Sequence, residues 1–352
     1  MKEQVIQENT LEQSSKKKLK HKGWIITGSV LGSLLAIILI LFFVFTCNTQ
    51  LIIGMIQNAT YGDNPINSYE PFYEPKNELK ENGQYLISEI KYDNEYPNSY
   101  LDVIYPNANR EVDRPTLFYF HGGGYFAGSK NMGDPLVASE ATYLLDDICA
   151  SGYNIVNVDY ALVPEFHFPV PLIQANKAFA YINEHAEEYH LNMNNVVIMG
   201  SSAGAIMASQ LGSIITNPEY AKLLGITPSI TPEKVKAVVI DDAPLDYKKF
   251  PLMTKIIIGN YIKGSIYLND NEVKKYNNIL SLTANYPSAF LLGSEYYSDM
   301  VTMSNKLKEL GCDYKFVGDK TQEHCFVSGE RTNPVAKDAF DKMIAFLNEK
   351  TR

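Results

Sequence analysis

The sequence predicts a doubly wound α/β domain built on a mostly parallel, eight-stranded sheet, preceded by a single apolar helix. Three observations carry this. Several strand-length segments are continuous apolar runs (NIVNV, VVIMG, KAVVI, AFLLG), the pattern of a sheet buried on both faces. Helical patterns alternate with these runs from Tyr85 onward, as β-α-β units require. The longest apolar stretch, the uncharged run from Trp24 to Phe45, stands ahead of all of them.

Composition narrows the class. The chain has 352 residues, 45% hydrophobic and 12% aromatic, with ordinary Gly and Pro counts, so it is neither disordered nor collagen-like. Four cysteines cannot staple a chain of this length. A net charge of −9 argues against nucleic acid as a partner. That charge is unevenly spread. Residues 1–22 hold six Lys and three Glu, a net of +3, which leaves −12 for the rest (−9 minus +3).

The N-terminal elements follow from this asymmetry. Five lysines crowd into Lys16–Lys22, and the 22 uncharged residues from Trp24 to Phe45 come directly after. A helix of that length spans roughly 33 Å, against a hydrocarbon core of about 30 Å. The positive-inside rule predicts a cytoplasmic tail over 1–22, a transmembrane signal anchor over 23–46 touching lipid through 24–45, and an extracytoplasmic remainder. A cleaved signal would have a shorter apolar core and a small-residue site, and a lipoprotein signal would have small residues before Cys47. Residues 47–84 are polar and turn-rich and read as a linker or cap segment.

Residues 85–352 form the predicted α/β domain. Strands are expected at 85–92, 100–105, 116–121, 153–159, 195–200, 235–241, 288–293 and 313–317. Helices are expected at 136–150, 170–189, 203–216, 299–310 and 335–349. The first strands lack a long crossover and should be antiparallel. The stretch from Pro244 to Tyr286 is long for one crossover and has room for a small cap.

The chemistry concentrates in three places. Gly200-Ser201-Ser202-Ala203-Gly204 is a G-x-S-x-G between an apolar strand and a helical pattern, the setting of a nucleophile elbow that presents Ser202 at a helix N-terminus. His121-Gly122-Gly123-Gly124 ends another strand. Its glycines suit a loop whose N–H groups meet a developing oxyanion, with Gly123, Gly124 and Ala203 as donors and His121 orienting the loop. A serine needs a base. Of six histidines, His324 alone lies after the last strand, where the order serine, acid, histidine requires it. The acid should follow the preceding strand, PSAFLLG, where Glu295 is favoured and Asp299 is the alternative, although Asp299 also suits a helix N-cap. The cysteines show no metal spacing; Cys312 and Cys325 flank the last strand, and buried thiols suit them better than a bridge.

The HGGG run, Asp159-Tyr160-Ala161-Leu162-Val163-Pro164-Glu165, GSSAG and the late His324-Cys325-Phe326 together resemble the hormone-sensitive-lipase-type branch of the α/β-hydrolase superfamily, over about residues 85–350. That branch holds carboxylesterases and acetyl esterases. The resemblance implies Ser202 as nucleophile, His324 as base, the oxyanion donors named above, and no cofactor or metal. It departs from the family at Ser201, where Asp is frequent, at Ala205, where Gly is frequent, and at Cys325, where Gly is usual. The family's acid motif, D-P-L-x-D, is matched only in its spacing by Glu295 and Asp299.

The expected function is therefore a membrane-anchored serine hydrolase cleaving carboxylic esters of short acyl chains. Removal of acetyl groups from extracellular polysaccharide, hydrolysis of small peptides, and a non-catalytic binding protein on the same fold are the alternatives.

Overall fold

The computed structural model describes residues 2–130 and 141–352. Two compact units divide the chain, residues 1–48 and 49–352. The first is one helix, α1 (Lys2–Cys47), within which Thr27–Cys47 is long and apolar enough to cross a membrane, with its side chains almost all exposed.

The second unit opens with helix α2 (Gln50–Tyr61). A nine-stranded sheet follows: β1 (Asn77–Leu79), β2 (Tyr85–Lys91), β3 (Tyr100–Tyr105), β4 (Pro115–Phe120), β5 (Asn154–Val158), β6 (Asn192–Ser201), β7 (Val235–Asp241), β8 (Ser288–Gly293) and β9 (Tyr314–Gly318). Their order is β1-β2-β3-β5-β4-β6-β7-β8-β9. The β1–β2, β2–β3 and β3–β5 pairs are antiparallel, as expected of strands without crossovers, and all later pairs are parallel. The sheet is thus mixed and has one strand more than the expected eight. The extra strand, β1, is three exposed residues pairing with β2 at the sheet edge. It carries no apolar alternation, so only the pairing reveals it.

The remaining helices are α3 (Ala141–Ala150), α4 (Val170–Glu184), α5 (Ala203–Thr216), α6 (Pro218–Leu224), α7 (Leu252–Lys263), α8 (Asp270–Tyr276), α9 (Tyr297–Glu309) and α10 (Pro334–Thr351). The part of the expected 136–150 helix that precedes residue 141 lies outside the described residues.

Strand alternation sends side chains to both faces. On β4, Phe118 and Phe120 join the core that holds α4, α5 and α9; Leu117 and Tyr119 join the core that holds α3 and α10. Phe118 meets Phe179 edge-on at 4.6 Å between ring centroids, an arrangement worth about 0.5–1.5 kcal/mol beyond area burial. Helix α5 is buried along its whole length. It is largely apolar all round because the sheet lies beneath it and other helices cover it. Its polar Ser209 and Gln210 are matched by Asn278, Tyr286 and the Tyr276 carbonyl.

Two segments left open by the sequence acquire structure. The stretch from Pro244 to Tyr286 holds α7 and α8, and α7 helps to wall the cavity described below. The segment over 47–84 contributes α2 and β1 to the same compact unit as the sheet. The four cysteines are unbridged: Cys149 is buried, Cys47 is exposed, and Cys312 and Cys325 are half-buried. Burial pushes the Cys149 thiol up to about 12.

Candidate active site

In sheets of this kind, sites form beyond the carboxyl ends of the strands. Five strand ends converge here. They are those of β4, β6, β7, β8 and β9, and the loops beyond them surround a cavity of about 1080 Å³.

Ser202 follows the last residue of β6 and has φ 55° and ψ −116°, a conformation that L-residues rarely adopt. Its N–H donates to the Asp241 carbonyl at 2.9 Å, which ties the turn to β7. The flanking glycines make the turn sterically open. A Cβ on Gly200 would sit 2.1 Å from the Gly204 carbonyl oxygen, and one on Gly204 would sit 1.9 Å from that of Phe120. Only hydrogen fits at either position. Ser202 lines the cavity with Gly123, Gly124 and Ala203.

The glycine loop is built as a tight turn. Gly123 has φ 101°, and its carbonyl accepts from the N–H groups of Phe126 (3.2 Å) and Ala127 (3.0 Å). His121 lies buried behind the loop, stacked on Tyr160 at 4.2 Å, with Nδ1 2.7 Å from the Gly122 carbonyl and Nε2 3.5 Å from Asp159. These contacts are those of a side chain that fixes the loop.

His324 sits in the loop after β9 and also lines the cavity. Its Nδ1 is 2.7 Å from Oδ2 of Asp242, the residue immediately past β7. Neither expected acid stands at hydrogen-bond distance from that nitrogen. Glu295 Oε2 stands 3.7 Å from the same nitrogen, on a side chain more than half exposed. Asp299 lies in the first turn of α9, where its Oδ1 accepts from the N–H groups of Leu245 (2.9 Å) and Asp246 (2.7 Å). It braces the loop that leads to α7; the helix N-cap position belongs to Tyr296.

Asp242 is fully buried and saturated with donors. Oδ1 accepts from the N–H groups of Ser294 (2.8 Å) and Tyr296 (3.0 Å). Oδ2 accepts from the Ser294 hydroxyl (2.6 Å), the Glu295 N–H (3.1 Å) and His324. Burial alone would raise this carboxyl, yet the donors outweigh it and hold the group below the ordinary Asp range. The reciprocal effect falls on His324: burial would lower the imidazole, but the hydrogen bond and charge of Asp242 lift it above its ordinary value.

A second carboxyl lies beside the first. Asp241 is fully buried, accepts from the Ser201 hydroxyl at 2.7 Å, and is pushed by burial up to about 7. Tyr119 in turn donates to Ser201 at 3.2 Å. Cys325 packs into the same region, with Sγ 3.6 Å from both His324 Nε2 and the Asp241 carbonyl.

The cavity has two kinds of wall. Phe126, Ile206, Pro251, Met253, Ile257 and Ile258 form an apolar side. Thr321, Gln322, Asn333, Glu295, Glu323 and Glu330 are among the cavity's polar lining residues. Among the described residues, no group of three or more His, Cys, Asp or Glu is arranged to hold a metal ion.

The BD-FAE family matches residues 101–308, more than half of the chain. The chain belongs to that family. An acetyl esterase of Salmonella paratyphi A is 24% identical over 276 residues, 71% of this chain and 77% of its own length. That of Salmonella typhi is 24% identical over 258 residues, 67% and 72% of the two chains. Esterase B of Lactobacillus rhamnosis superposes with a TM-score of 0.63 over 86% of this chain and 93% of its own, at 16% identity. A Rhizomucor miehei esterase superposes with a TM-score of 0.61 over 78% and 86%, at 20% identity. This BD-FAE protein therefore has the α/β-hydrolase fold and stands among its esterase-type hydrolases.

Proposed function

We propose that this BD-FAE protein is a serine hydrolase of small carboxylic esters, with Ser202 as nucleophile, His324 as base and Asp242 as acid. The observation that carries the reading is the His324–Asp242 contact of 2.7 Å beside a strained Ser202 at the same cavity. Ser202 Oγ attacks the ester carbonyl while His324 takes its proton. The N–H groups of Gly123, Gly124 and Ala203 receive the oxyanion. His324 then returns the proton to the leaving alcohol, giving an acyl-enzyme. Water attacks that intermediate with His324 again as base, and the carboxylic acid leaves. Asp242 holds the imidazole tautomer and stabilises the imidazolium.

A short acyl group is supported by the acetyl esterase relatives and by the apolar wall that α7 brings next to Gly124. The motifs HGGG and GSSAG favour the hormone-sensitive-lipase-type branch within the fold. Deacetylation of polysaccharide is the second reading, favoured by the polar wall of Thr321, Gln322 and Asn333. Residues 23–46 are proposed as an uncleaved anchor, with 1–22 cytoplasmic and 47–352 extracytoplasmic, a reading supported by the lysine run and the apolar Thr27–Cys47 segment.

The test of the enzyme reading uses the full chain in detergent with nitrophenyl acetate and a fluorophosphonate probe. Hydrolysis and labelling are expected in the parent and absent in Ser202→Ala; hydrolysis that survives this change refutes the mechanism. Protease protection of spheroplasts checks the topology. Cleavage of the 47–352 region from outside supports it, and protection there overturns it.

A further inference from the structure

Helix α2 touches the glycine loop at points that bear on its chemistry. Gln57 is buried, and its Nε2 donates to two carbonyls, those of Phe126 and Val163, each at 2.9 Å. Two carbonyl partners on one atom identify that atom as the amide nitrogen. Gln57 Oε1 is held in turn by Gln50 at 3.3 Å, and Gln50 accepts from Asn260 of α7. One turn after Gln57, the Tyr61 hydroxyl accepts from the N–H of Gly128 at 3.3 Å.

Two peptide planes connect Gln57 to one of the proposed oxyanion donors, the N–H of Gly124. The Phe126 carbonyl and the Ala127 N–H belong to one peptide unit, and trans geometry points them in opposite directions. Gln57 holds the carbonyl side, and the N–H side donates to the Gly123 carbonyl at 3.0 Å. That carbonyl shares its own peptide plane with the Gly124 N–H, which must face away from the turn. Aligned amides in such a chain polarise one another. The relay is unforgiving at its centre, because a Cβ on Gly123 would lie 2.1 Å from the Ala127 carbonyl oxygen.

We propose that Gln57 is a positioning residue for the oxyanion hole, acting through the 126–127 and 123–124 peptide planes, so that helix α2 is part of the catalytic unit. This rests on the serine-hydrolase reading above. It assigns a role in the reaction to a helix that lies outside the sheet and its crossovers and begins three residues after α1 ends.

The experiment compares the full chain in detergent with Gln57→Met, which keeps the volume and removes the donors, and Gln57→Asn, which keeps the amide but withdraws it by one methylene from the Phe126 carbonyl. In Gln57→Met, kcat on nitrophenyl acetate is expected to fall about ten- to a hundredfold, with KM within roughly threefold. The Ki of a boronic acid that mimics the tetrahedral intermediate should rise by the same factor. Amide hydrogen exchange over residues 122–128 should quicken, while the melting temperature reports whether the fold is kept. Full kcat in a folded Gln57→Met, or a loss confined to KM, overturns the proposal. If Gln57→Met does not fold, Gln57→Asn decides: a several-fold loss of kcat supports the relay, and parental kcat with unchanged exchange overturns it. A parent that neither hydrolyses ester nor reacts with fluorophosphonate instead refutes the serine-hydrolase reading. The exchange measurement still shows whether Gln57 holds the loop.

Discussion

Glu295 meets Asp242 through its backbone: its N–H donates to Asp242 Oδ2 at 3.1 Å, while its own carboxylate stays 3.7 Å from His324 and half in solvent. In the proposed triad the loop after β8 therefore does not supply the acid. It supplies three N–H groups and a hydroxyl that cradle an acid arriving from β7. A carboxylate so held is already oriented and charged before the imidazolium forms, which is what the role requires.

The first prediction separates the two carboxylates. Asp242→Asn should lower kcat by about a hundred- to ten-thousandfold, because the amide can hold the wrong imidazole tautomer. Glu295→Gln should leave kcat within about threefold, since its carboxylate is solvated and screened. Steady-state kinetics on nitrophenyl acetate checks both, and equal losses in the two variants would contradict the assignment.

The pH profile gives a second check. His324 must be neutral to accept the Ser202 proton, so kcat/KM rises as pH climbs through the imidazole pKa. Asp242 holds that pKa above its ordinary value of about 6.5, so the acid limb should have its midpoint above that value. Removing the Glu295 charge takes away a minor raising influence, and Glu295→Gln should move the midpoint slightly down. In Asp242→Asn burial is opposed only by the weaker pull of Asp241 and Glu295, and the midpoint of the residual activity should fall below that of the parent. A profile from about pH 5 to pH 9 measures all three.

These assignments show what a sequence displays and what it hides. Runs such as VVIMG and KAVVI are legible as strands because burial on both faces demands continuous apolar residues, and β6 and β7 lie where those runs are. GSSAG is legible because strand, turn and helix are contiguous. Asp242 is not, because its proposed role depends on donors 52 to 54 residues away and on a histidine 82 residues away. The available signal was the Asp241-Asp242 pair closing the apolar run of β7, where two adjacent carboxylates at a strand end have no packing reason to be. Helix α2 was hidden differently. Its buried positions, Ile53 and Gln57, are only one turn of pattern, and one of them is polar.

The elbow glycines give a stability prediction. In Gly204→Ala the new methyl would lie 1.9 Å from the Phe120 carbonyl, and backbone cannot yield as a flexible side chain does. The variant should lose at least about 2 kcal/mol, the range for overpacked cores, and should melt several degrees lower or fail to accumulate. Gly225→Ala is a useful control. Its Cβ would meet nothing within 4 Å, so only the left-handed φ of 70° opposes it, and the loss should be smaller.

Lys130 offers the sharpest electrostatic test. Its ammonium is buried against the carboxylates of Glu89 and Asp102, the latter at 3.1 Å, and its N–H donates to Asp159. Lys130→Met keeps the aliphatic stem but leaves three carboxylates close together with no cation among them. Breaking such a group from one side costs about 3–5 kcal/mol. Burial already raises Glu89 and brings Asp159 up to about 7 with Lys130 present; without it both must rise further. A carboxyl whose folded pKa exceeds its unfolded one stabilises the fold below the unfolded pKa, and that stability is lost as pH rises through the folded pKa. Lys130→Met should therefore unfold more readily at pH 8 than at about pH 5, with the gap between variant and parent widening as pH increases. Adding Glu89→Gln should recover part of the loss, since the two changes share one network and cannot be additive. Thermal melts of the parent and both variants at the two pH values measure this, and a Lys130→Met loss below about 1 kcal/mol at pH 8 would show that the carboxylates are not held by that lysine.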